Sequence, residues 1–384
     1  MQSARLGKLP PYLFVEIDRR KTEYARSGGK VLDLGIGDPD LGAPGVLRDL
    51  LGEALGNREY DRYPSDRGLP GLIEAIRKWA LKEHRVDLSP DEILITIGSK
   101  EAIAHLPLAV VDPGDTVLVP DPGYPVYSSS AIFAGAQPVT MPLLQSNDFL
   151  PDLEAIDTDI SARSRMMYLN YPNNPTSAIA PSGFFGRMLE YCGNNGCILV
   201  NDAAYSEIMY EGRAEALFPI GRESSTPYIE FFSFSKTFSI TGWRIGFAIG
   251  SPEVISALGR LKANIDSGVF SAVQAAVAGL LEADYQSVIN EIIDVYRERR
   301  DILSDGLRKA RIEFDPPEAT FYFWIPVPGG EKSIDFCGRL LDDTGIVATP
   351  GVGFGQGGEG YFRLSITAPT DTIRQACVKL ADFR

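Results

Sequence analysis

An α/β fold with a mostly parallel sheet is predicted by two features of the sequence. From about residue 45 to residue 284, apolar runs of strand length alternate with helical stretches such as 71–80. The chain has 384 residues, 44% of them hydrophobic, which is enough for a large core and for two or three domains. No internal repeat or low-complexity linker interrupts the pattern.

The order of these segments suggests three parts. They are an N-terminal arm with part of a small domain (1–44), a large domain (45–285) and a small C-terminal domain (286–384). A charged helix over residues 287–307 is predicted to join the lobes. Apolar runs at 319–325 and 361–366 predict a small antiparallel sheet, with helices, in the last part.

Charge and cysteine content argue against several classes of protein. A net charge of −14 would repel nucleic acid, so we expect an acidic enzyme without a nucleic-acid partner. The cysteines have no metal-ligand spacing and lie far in sequence from both histidines, so we expect no metal and reduced thiols in the cytoplasm. They are Cys192, Cys197, Cys337 and Cys377. No apolar signal core or run of ~20 apolar residues occurs, so neither export nor a membrane span is expected.

Lys236 lies among small hydroxyl residues, with Ser233 and Ser235 before it and Arg244 eight positions after it. A lysine that bonds to a cofactor aldehyde needs a lowered pKa. A neighbouring cation and phosphate-binding hydroxyls are what pyridoxal phosphate (PLP) enzymes supply. The apolar runs on both sides would equally suit two buried strands around a loop, so other parts of the chain must decide.

Asp202 ends the apolar run 198–201, which has the length of a strand. The carboxyl ends of parallel strands face the ligand crevice, and an ionised carboxylate there would keep the PLP ring nitrogen protonated. Tyr205, three residues later, is placed to reach the ring oxygen of the cofactor. The alternative is an aspartate that caps the next helix and a tyrosine that packs.

Two proline-containing loops follow other predicted strands. The loop 170–176 contains Asn174, whose side-chain amide is expected to donate to the same ring oxygen. The loop 121–127 presents Tyr124, whose ring could stack on the pyridine of the cofactor. Each signal is weak alone, because Asn-Pro turns and packed loop aromatics are common.

A phosphate-binding corner is predicted where the strand 92–97 meets the turn at Gly98 and the start of a helix. Free backbone N–H groups and the helix dipole favour an anion there. Ser99 and Lys100 are therefore expected to contact the phosphate or lie beside it. The alternative is that Ser99 simply caps the helix, with Glu101 in the first turn.

The order of these motifs resembles that of the class I and II aminotransferases of PLP fold type I, over nearly the whole chain. Within them the chain is most similar to the LL-diaminopimelate aminotransferases, through the segments 9–14, 34–40, 98–101 and 264–270. The resemblance implies an aspartate aminotransferase-like fold: a large domain with a mostly parallel seven-stranded sheet between helices, and a small α+β domain. It also implies a homodimer with shared active sites.

Further site residues are implied by the resemblance. Arg363 matches the arginine that grips the α-carboxylate of the substrate. Gly37 would let the backbone approach the substrate, and Tyr12 would be a substrate contact. Tyr63 matches the tyrosine that reaches the phosphate bound by the neighbouring subunit. Asp66, arriving from the partner subunit, is our choice for the distal ammonium of the substrate.

The implied reaction is transfer of an amino group from glutamate to tetrahydrodipicolinate, which gives LL-diaminopimelate and 2-oxoglutarate in lysine biosynthesis. Lys100, Tyr124 and Asn174 are expected to contact substrate as well as cofactor. Alternatives are an aminotransferase for aromatic residues, alanine or aspartate, a β-lyase of the same fold, and a PLP-binding regulatory module. Two departures from the usual pattern, Asn201 and Ser177, leave the catalytic groups in place.

The glycine-rich run 351–358 resembles a dinucleotide-binding fingerprint. We reject that interpretation because no helix is predicted after it and no early βαβ unit surrounds it. A flexible loop near the substrate is expected instead.

Overall fold

A seven-stranded sheet forms the centre of the computed structural model, which describes residues 3–9 and 13–383, the side chains of 13–15 excepted. Its strands, in spatial order, are β2 (Ile93–Thr96), β8 (Gly246–Gly250), β7 (Tyr228–Ser233), β6 (Ile198–Asp202), β5 (Ser164–Leu169), β3 (Thr116–Asp121) and β4 (Gln137–Pro142). All neighbours run parallel except β8, which is antiparallel to both β2 and β7. The mostly parallel seven-stranded sheet is therefore confirmed.

Helices cover both faces of this sheet, which explains why its inner strands read as continuous apolar runs. In β2, Leu94 packs into one core, while Ile93 and Ile95 pack into another on the opposite face. The helices before residue 285 are α1 (Leu13–Arg26), α2 (Gly45–Ala54), α3 (Pro70–His84), α4 (Gly98–Val110), α5 (Val126–Ala134), α6 (Thr158–Arg163), α7 (Phe184–Asn195), α8 (Leu217–Gly221), α9 (Phe234–Thr237), α10 (Pro252–Ile265) and α11 (Ser271–Glu282).

The C-terminal part contains the predicted antiparallel sheet. It has the order β11 (Thr349–Pro350), β12 (Tyr361–Ser365) and β9 (Tyr322–Pro326), and lies with the helices α13 (Ser333–Thr344) and α14 (Thr370–Asp382). The N-terminal strand β1 (Leu32–Asp33) pairs with β10 (Ile346–Val347), so the segment after α1 is joined to the C-terminal part. The domain boundaries at 44 and 285 stay a prediction.

The long helix α12 (Tyr285–Lys309) matches the helix expected over 287–307. It begins where Asp284 accepts a hydrogen bond from the Ser287 amide at 3.2 Å. On its buried side, Arg299 donates to both carboxylate oxygens of Asp40, at 2.6 and 3.0 Å. This bidentate pair fixes the N-terminal segment near residue 40, which passes beside the site described below.

The four cysteines are free thiols, three of them buried and Cys377 partly buried. Within the described ranges, no helix combines the length and the apolar character that crossing a bilayer would require.

Candidate active site

A cavity of about 380 Å³ opens where the strands of the large sheet end, and the C-terminal sheet closes one side of it. It brings together twelve of the predicted residues. These are Gly37, Ser99, Lys100, Tyr124, Asn174, Asp202, Tyr205, Ser233, Ser235, Lys236, Arg244 and Arg363. Residues that lie up to 326 positions apart in sequence thus line one cavity.

Lys236 lies in α9, immediately after β7, with its side chain in the cavity. Its Nζ donates to the carbonyl oxygen of Gly37 at 2.9 Å. Burial lowers the pKa of Lys236 to about 8; Asp38 opposes this shift, and the positive charge of Arg363 adds to it. A substantial fraction of this amine is therefore neutral, and nucleophilic, near pH 8.

Asp202 is buried at the end of β6, as predicted. It accepts hydrogen bonds from the Tyr127 hydroxyl at 2.9 Å and from the Ala204 amide at 3.3 Å. Burial raises the pKa of Asp202 to about 6, although both hydrogen bonds oppose that shift. No cation among the described residues forms an ion pair with Asp202, so a cationic ligand group would relieve the cost of burying its charge.

The corner that the sequence predicts for a phosphate lies at the start of α4. The helix begins at Gly98 with Ile97 in the N-cap position, so the alternative that Ser99 is the cap is wrong; the Ile97 amide donates to Oε2 of Glu101 at 3.0 Å. Gly98 has φ +70°, and a Cβ there would lie 2.7 Å from Nη2 of Arg244, so glycine allows the guanidinium to approach the helix end. The buried hydroxyl of Ser235 has no hydrogen-bond partner. The helix start, the Arg244 guanidinium and the Ser235 hydroxyl therefore line the same cavity.

On the other side of the cavity, Arg363 lies in β12 and is almost fully buried. It donates to Oδ1 of Asn174 and to the carbonyl oxygen of Gly35, both at 2.8 Å. Its guanidinium carbon lies 4.1 Å from the ring centre of Tyr322 and 4.7 Å from that of Phe354. The planar group is thus held between rings, in a fixed orientation suited to a carboxylate.

Among the site residues to which the sequence assigned no role are Tyr322, Tyr127 and Asn170. Tyr322 donates to or accepts from the Tyr205 hydroxyl at 3.0 Å, and a Cβ on Gly37 would collide with the Tyr322 hydroxyl. The Tyr127 hydroxyl donates a hydrogen bond to Asp202. The sequence feature that could have identified Tyr127 is its position three residues after Tyr124, in the same predicted loop. Asn170 donates to the carbonyl oxygen of Asp202 at 2.6 Å and also accepts from the Asn174 amide.

Other predicted residues lie elsewhere. Tyr63 is 90% exposed, and Asp66 is exposed as well; neither lines the cavity of its own chain. Their predicted roles in a partner subunit stay predictions. Tyr12 lies outside the described residues. Asp18 in α1, which sequence reasoning did not select, does line the cavity.

The glycine-rich run 351–358 forms two short 3₁₀ turns, and the next element is the strand β12 rather than an α-helix. The amide of Gly357 donates to Oδ1 of Asp121 at 2.9 Å, and the amide of Gly123 donates to the Phe354 carbonyl at 2.8 Å. The run therefore packs against the loop that carries Tyr124, and Phe354 lines the cavity.

The fold and the cavity define an aminotransferase. The family model for aminotransferases of class I and II matches residues 29–380, and the chain belongs to this family. It is 45% identical to the LL-diaminopimelate aminotransferase of Aquifex aeolicus, over 100% of this chain and 99% of that protein. The corresponding protein of Moorella thermoacetica is 44% identical, with 99% and 98% covered. A single mutant of Thermus thermophilus aspartate aminotransferase superposes with a TM-score of 0.93 at 27% identity, with both chains fully covered.

Proposed function

We propose that this aminotransferase uses PLP to transfer the amino group of glutamate to tetrahydrodipicolinate, which yields LL-diaminopimelate and 2-oxoglutarate. The observation that carries the choice of substrate is the 45% identity, over the whole chain, to an LL-diaminopimelate aminotransferase. The observation that supports the cofactor is the cavity described above. We also propose a cytoplasmic location, which the four free cysteines support.

PLP fits the cavity because the polar groups match its two charged ends. The buried carboxylate of Asp202 has no ion-pair partner in the part of the chain that the structure describes, and its charge suits a protonated ring nitrogen. At the other end, Ser235, with its unsatisfied hydroxyl, and Arg244 would hold a phosphate. We assign the phosphate also to Ser99, Lys100 and Ser233, the ring oxygen to Asn174 and Tyr205, and the ring face to Tyr124. When bound, the cofactor supplies an electron sink for the α-carbon of the substrate.

Lys236 is the proposed catalytic residue in both half-reactions of a ping-pong cycle. Its amine would hold the aldehyde carbon of the cofactor until an amino donor displaces it. The freed Nζ would then move the proton at the α-carbon of the substrate, acting as general base and then general acid. Because the pKa of Lys236 is lowered to about 8, the protonated and the neutral forms of Nζ are both populated near that pH, as a group that both accepts and donates a proton requires.

Arg363→Lys should raise KM for both glutamate and LL-diaminopimelate by about tenfold or more. A charge-assisted hydrogen bond contributes ~1.5–3 kcal/mol, and lysine cannot make the planar two-point contact with the α-carboxylate. Steady-state kinetics with each substrate measures this. An increase for only one of the substrates would contradict the assignment, because both carry the same α-carboxylate.

The far end of diaminopimelate carries a second carboxylate and a second ammonium group. These two groups need a basic and an acidic side chain beyond the α-carbon. Lys100 lines the cavity, with its Nζ 5.9 Å from the centre of the Tyr124 ring, and is proposed for the distal carboxylate. Asp66 of the partner subunit is proposed for the distal ammonium. A homodimer with shared sites would bring it there, together with the partner subunit's Tyr63, which is 90% exposed in the single chain and so is accessible to a second copy.

Asp66→Ala should raise KM for LL-diaminopimelate by about fivefold, with little change for glutamate, because a partly exposed ion pair contributes about 1 kcal/mol. The matched variant is Asp18→Ala, which removes an acid of the same chain that lines the cavity. Asp18 already pairs with Lys21 at 2.8 Å. We therefore expect Asp18→Ala to discriminate less between LL-diaminopimelate and glutamate than Asp66→Ala does. A selective effect of Asp18→Ala, with none from Asp66→Ala, would contradict the proposed subsite.

The proposed function is tested by a transamination assay that offers LL-diaminopimelate, meso-diaminopimelate and common amino acids, with 2-oxoglutarate as acceptor. Activity confined to the LL isomer supports the proposal. Preference for aromatic donors, alanine or aspartate would identify another aminotransferase, and oxo-acid release without an acceptor would indicate a β-lyase. PLP binding without turnover on any donor would favour a regulatory module.

A further inference from the structure

Two buried residues, Ser177 and Thr320, have left-handed backbone conformations, with φ +63° and +61°. Their exposed fractions are 8% and 0%. Glycine adopts this conformation without cost, whereas a side chain is strained there, and a β-branched one most of all. Such residues persist when the side chain has a use, so their hydroxyl groups need an explanation.

The two hydroxyls form one directed set of hydrogen bonds. Ser177 Oγ lies 2.7 Å from the carbonyl oxygen of Tyr322, which can only accept, so the single hydroxyl proton of Ser177 is used there. Ser177 Oγ is also 2.7 Å from Thr320 Oγ1, so Thr320 must donate to Ser177. Thr320 Oγ1 in turn accepts from the amide of Tyr322 at 3.0 Å. Every donor of this set is satisfied.

This hydroxyl pair joins the two sides of the cavity that hold Arg363. Ser177 ends the turn that contains Asn174, and its amide donates to the Asn173 carbonyl at 2.9 Å. Asn174 accepts from Arg363, and the ring of Tyr322 lies against the same guanidinium. Two of the groups that orient Arg363, the Asn174 side chain and the Tyr322 ring, are therefore tied to the same pair of hydroxyls.

The local fold at Thr320 has other supports. Its amide donates to the Ile208 carbonyl at 2.8 Å, its carbonyl accepts from the Tyr210 hydroxyl at 2.7 Å, and Met209 forms a β-bridge with Ala319. Loss of the Ser177 hydroxyl would leave these contacts in place. The contact that it removes is the one between the Asn174 turn and Tyr322.

We propose that the Ser177–Thr320 hydroxyl pair is a positioning device, which sets the distance between Asn174 and Tyr322 and thereby holds Arg363 ready for the carboxylate of the substrate. The proposal rests on the proposed function, since it assigns a substrate carboxylate to Arg363. It makes two residues without substrate contact responsible for part of the affinity for every amino and oxo acid that the enzyme accepts.

The test compares Ser177→Gly with Ser177→Ala in the PLP-loaded enzyme, with the Kd for 2-oxoglutarate measured by calorimetry. Both variants lack the hydroxyl, but only glycine relieves the backbone strain. We expect the Kd to rise by about fivefold in both, because the neutral hydrogen bonds that tie the Asn174 turn to Tyr322 are lost and Arg363 is held less firmly. Only the alanine variant should also have a lower Tm. If the Kd rises only in Ser177→Ala, the variant with the lower Tm, and is unchanged in Ser177→Gly, the proposal is overturned.

Thr320 supplies the control and a second test. Thr320→Ser keeps the hydroxyl and should retain the wild-type Kd, whereas Thr320→Val should raise the Kd as Ser177→Gly does. The double variant Ser177→Gly/Thr320→Val should have the same Kd for 2-oxoglutarate as either single variant, because the two hydroxyls act as a unit. If the two increases in Kd multiply in the double variant, the proposal is overturned. Failure of the proposed function would appear separately, as wild-type enzyme that turns over no amino donor.

Discussion

Lys236→Ala is expected to reduce turnover by on the order of 10⁴-fold, which is the upper range for a positioned general acid and base. The variant loses both the amine that would hold the cofactor and the group that moves the α-proton. Its fold should be retained, because among the described residues the side chain makes one hydrogen bond, to Gly37, and it lines a cavity.

Absorbance spectroscopy and borohydride trapping check this prediction. The wild-type protein should be coloured by PLP, and reduction followed by peptide mapping should place the label on Lys236. Lys100→Ala is the matched control, because Lys100 is the other lysine among the described cavity residues and should not carry the label. A label on any other lysine, or a colourless protein that takes up no PLP, would refute the proposed function.

Asp202→Asn is expected to lower kcat by about 10²–10³-fold, the effect of removing one preorganised electrostatic group from an active site. Asparagine keeps the size of the side chain and can still accept from the Tyr127 hydroxyl. It cannot hold a positive charge on the ring nitrogen of the cofactor. KM should change far less than kcat, since the substrate does not contact this group.

Glu230→Gln is the matched control for losing the charge of a buried carboxylate. Glu230 is fully buried in the neighbouring strand β7, and burial raises the pKa of Glu230 to about 7, but it does not line the cavity. It accepts hydrogen bonds from Asn201 and from two amides of α8, so its replacement should affect the Tm more than kcat. Equal losses of kcat in the two variants would contradict the role of Asp202.

The sequence predicted the sheet well, because strands buried on both faces leave long apolar runs between helices. It could not predict that β8 runs opposite to its neighbours, since an apolar run carries no direction. The β1–β10 pair was equally hidden, because each strand has only two residues.

Site residues at strand ends and in proline-containing loops were found because breaks in an apolar pattern stand out. Asp202 is one example, and Ser235 is another. Tyr322 was missed because it lies inside an apolar run, where packing is a sufficient explanation; only its contacts with Tyr205 and Arg363 distinguish it. Asp18 was missed because an acidic residue on an amphipathic helix normally faces solvent.

The reversed strand β8 has a consequence for how the protein matures during synthesis. Gly246 pairs with both Thr96 and Ser233, so β8, about 150 residues further along the chain than Gly98, joins the strand before the Gly98 corner to the strand before Lys236. Closing so distant a contact is slow and needs most of the sheet in place. We therefore expect that a nascent chain would hold the proposed cofactor only weakly until β8 has emerged, and that shorter fragments would be exposed to proteases and chaperones.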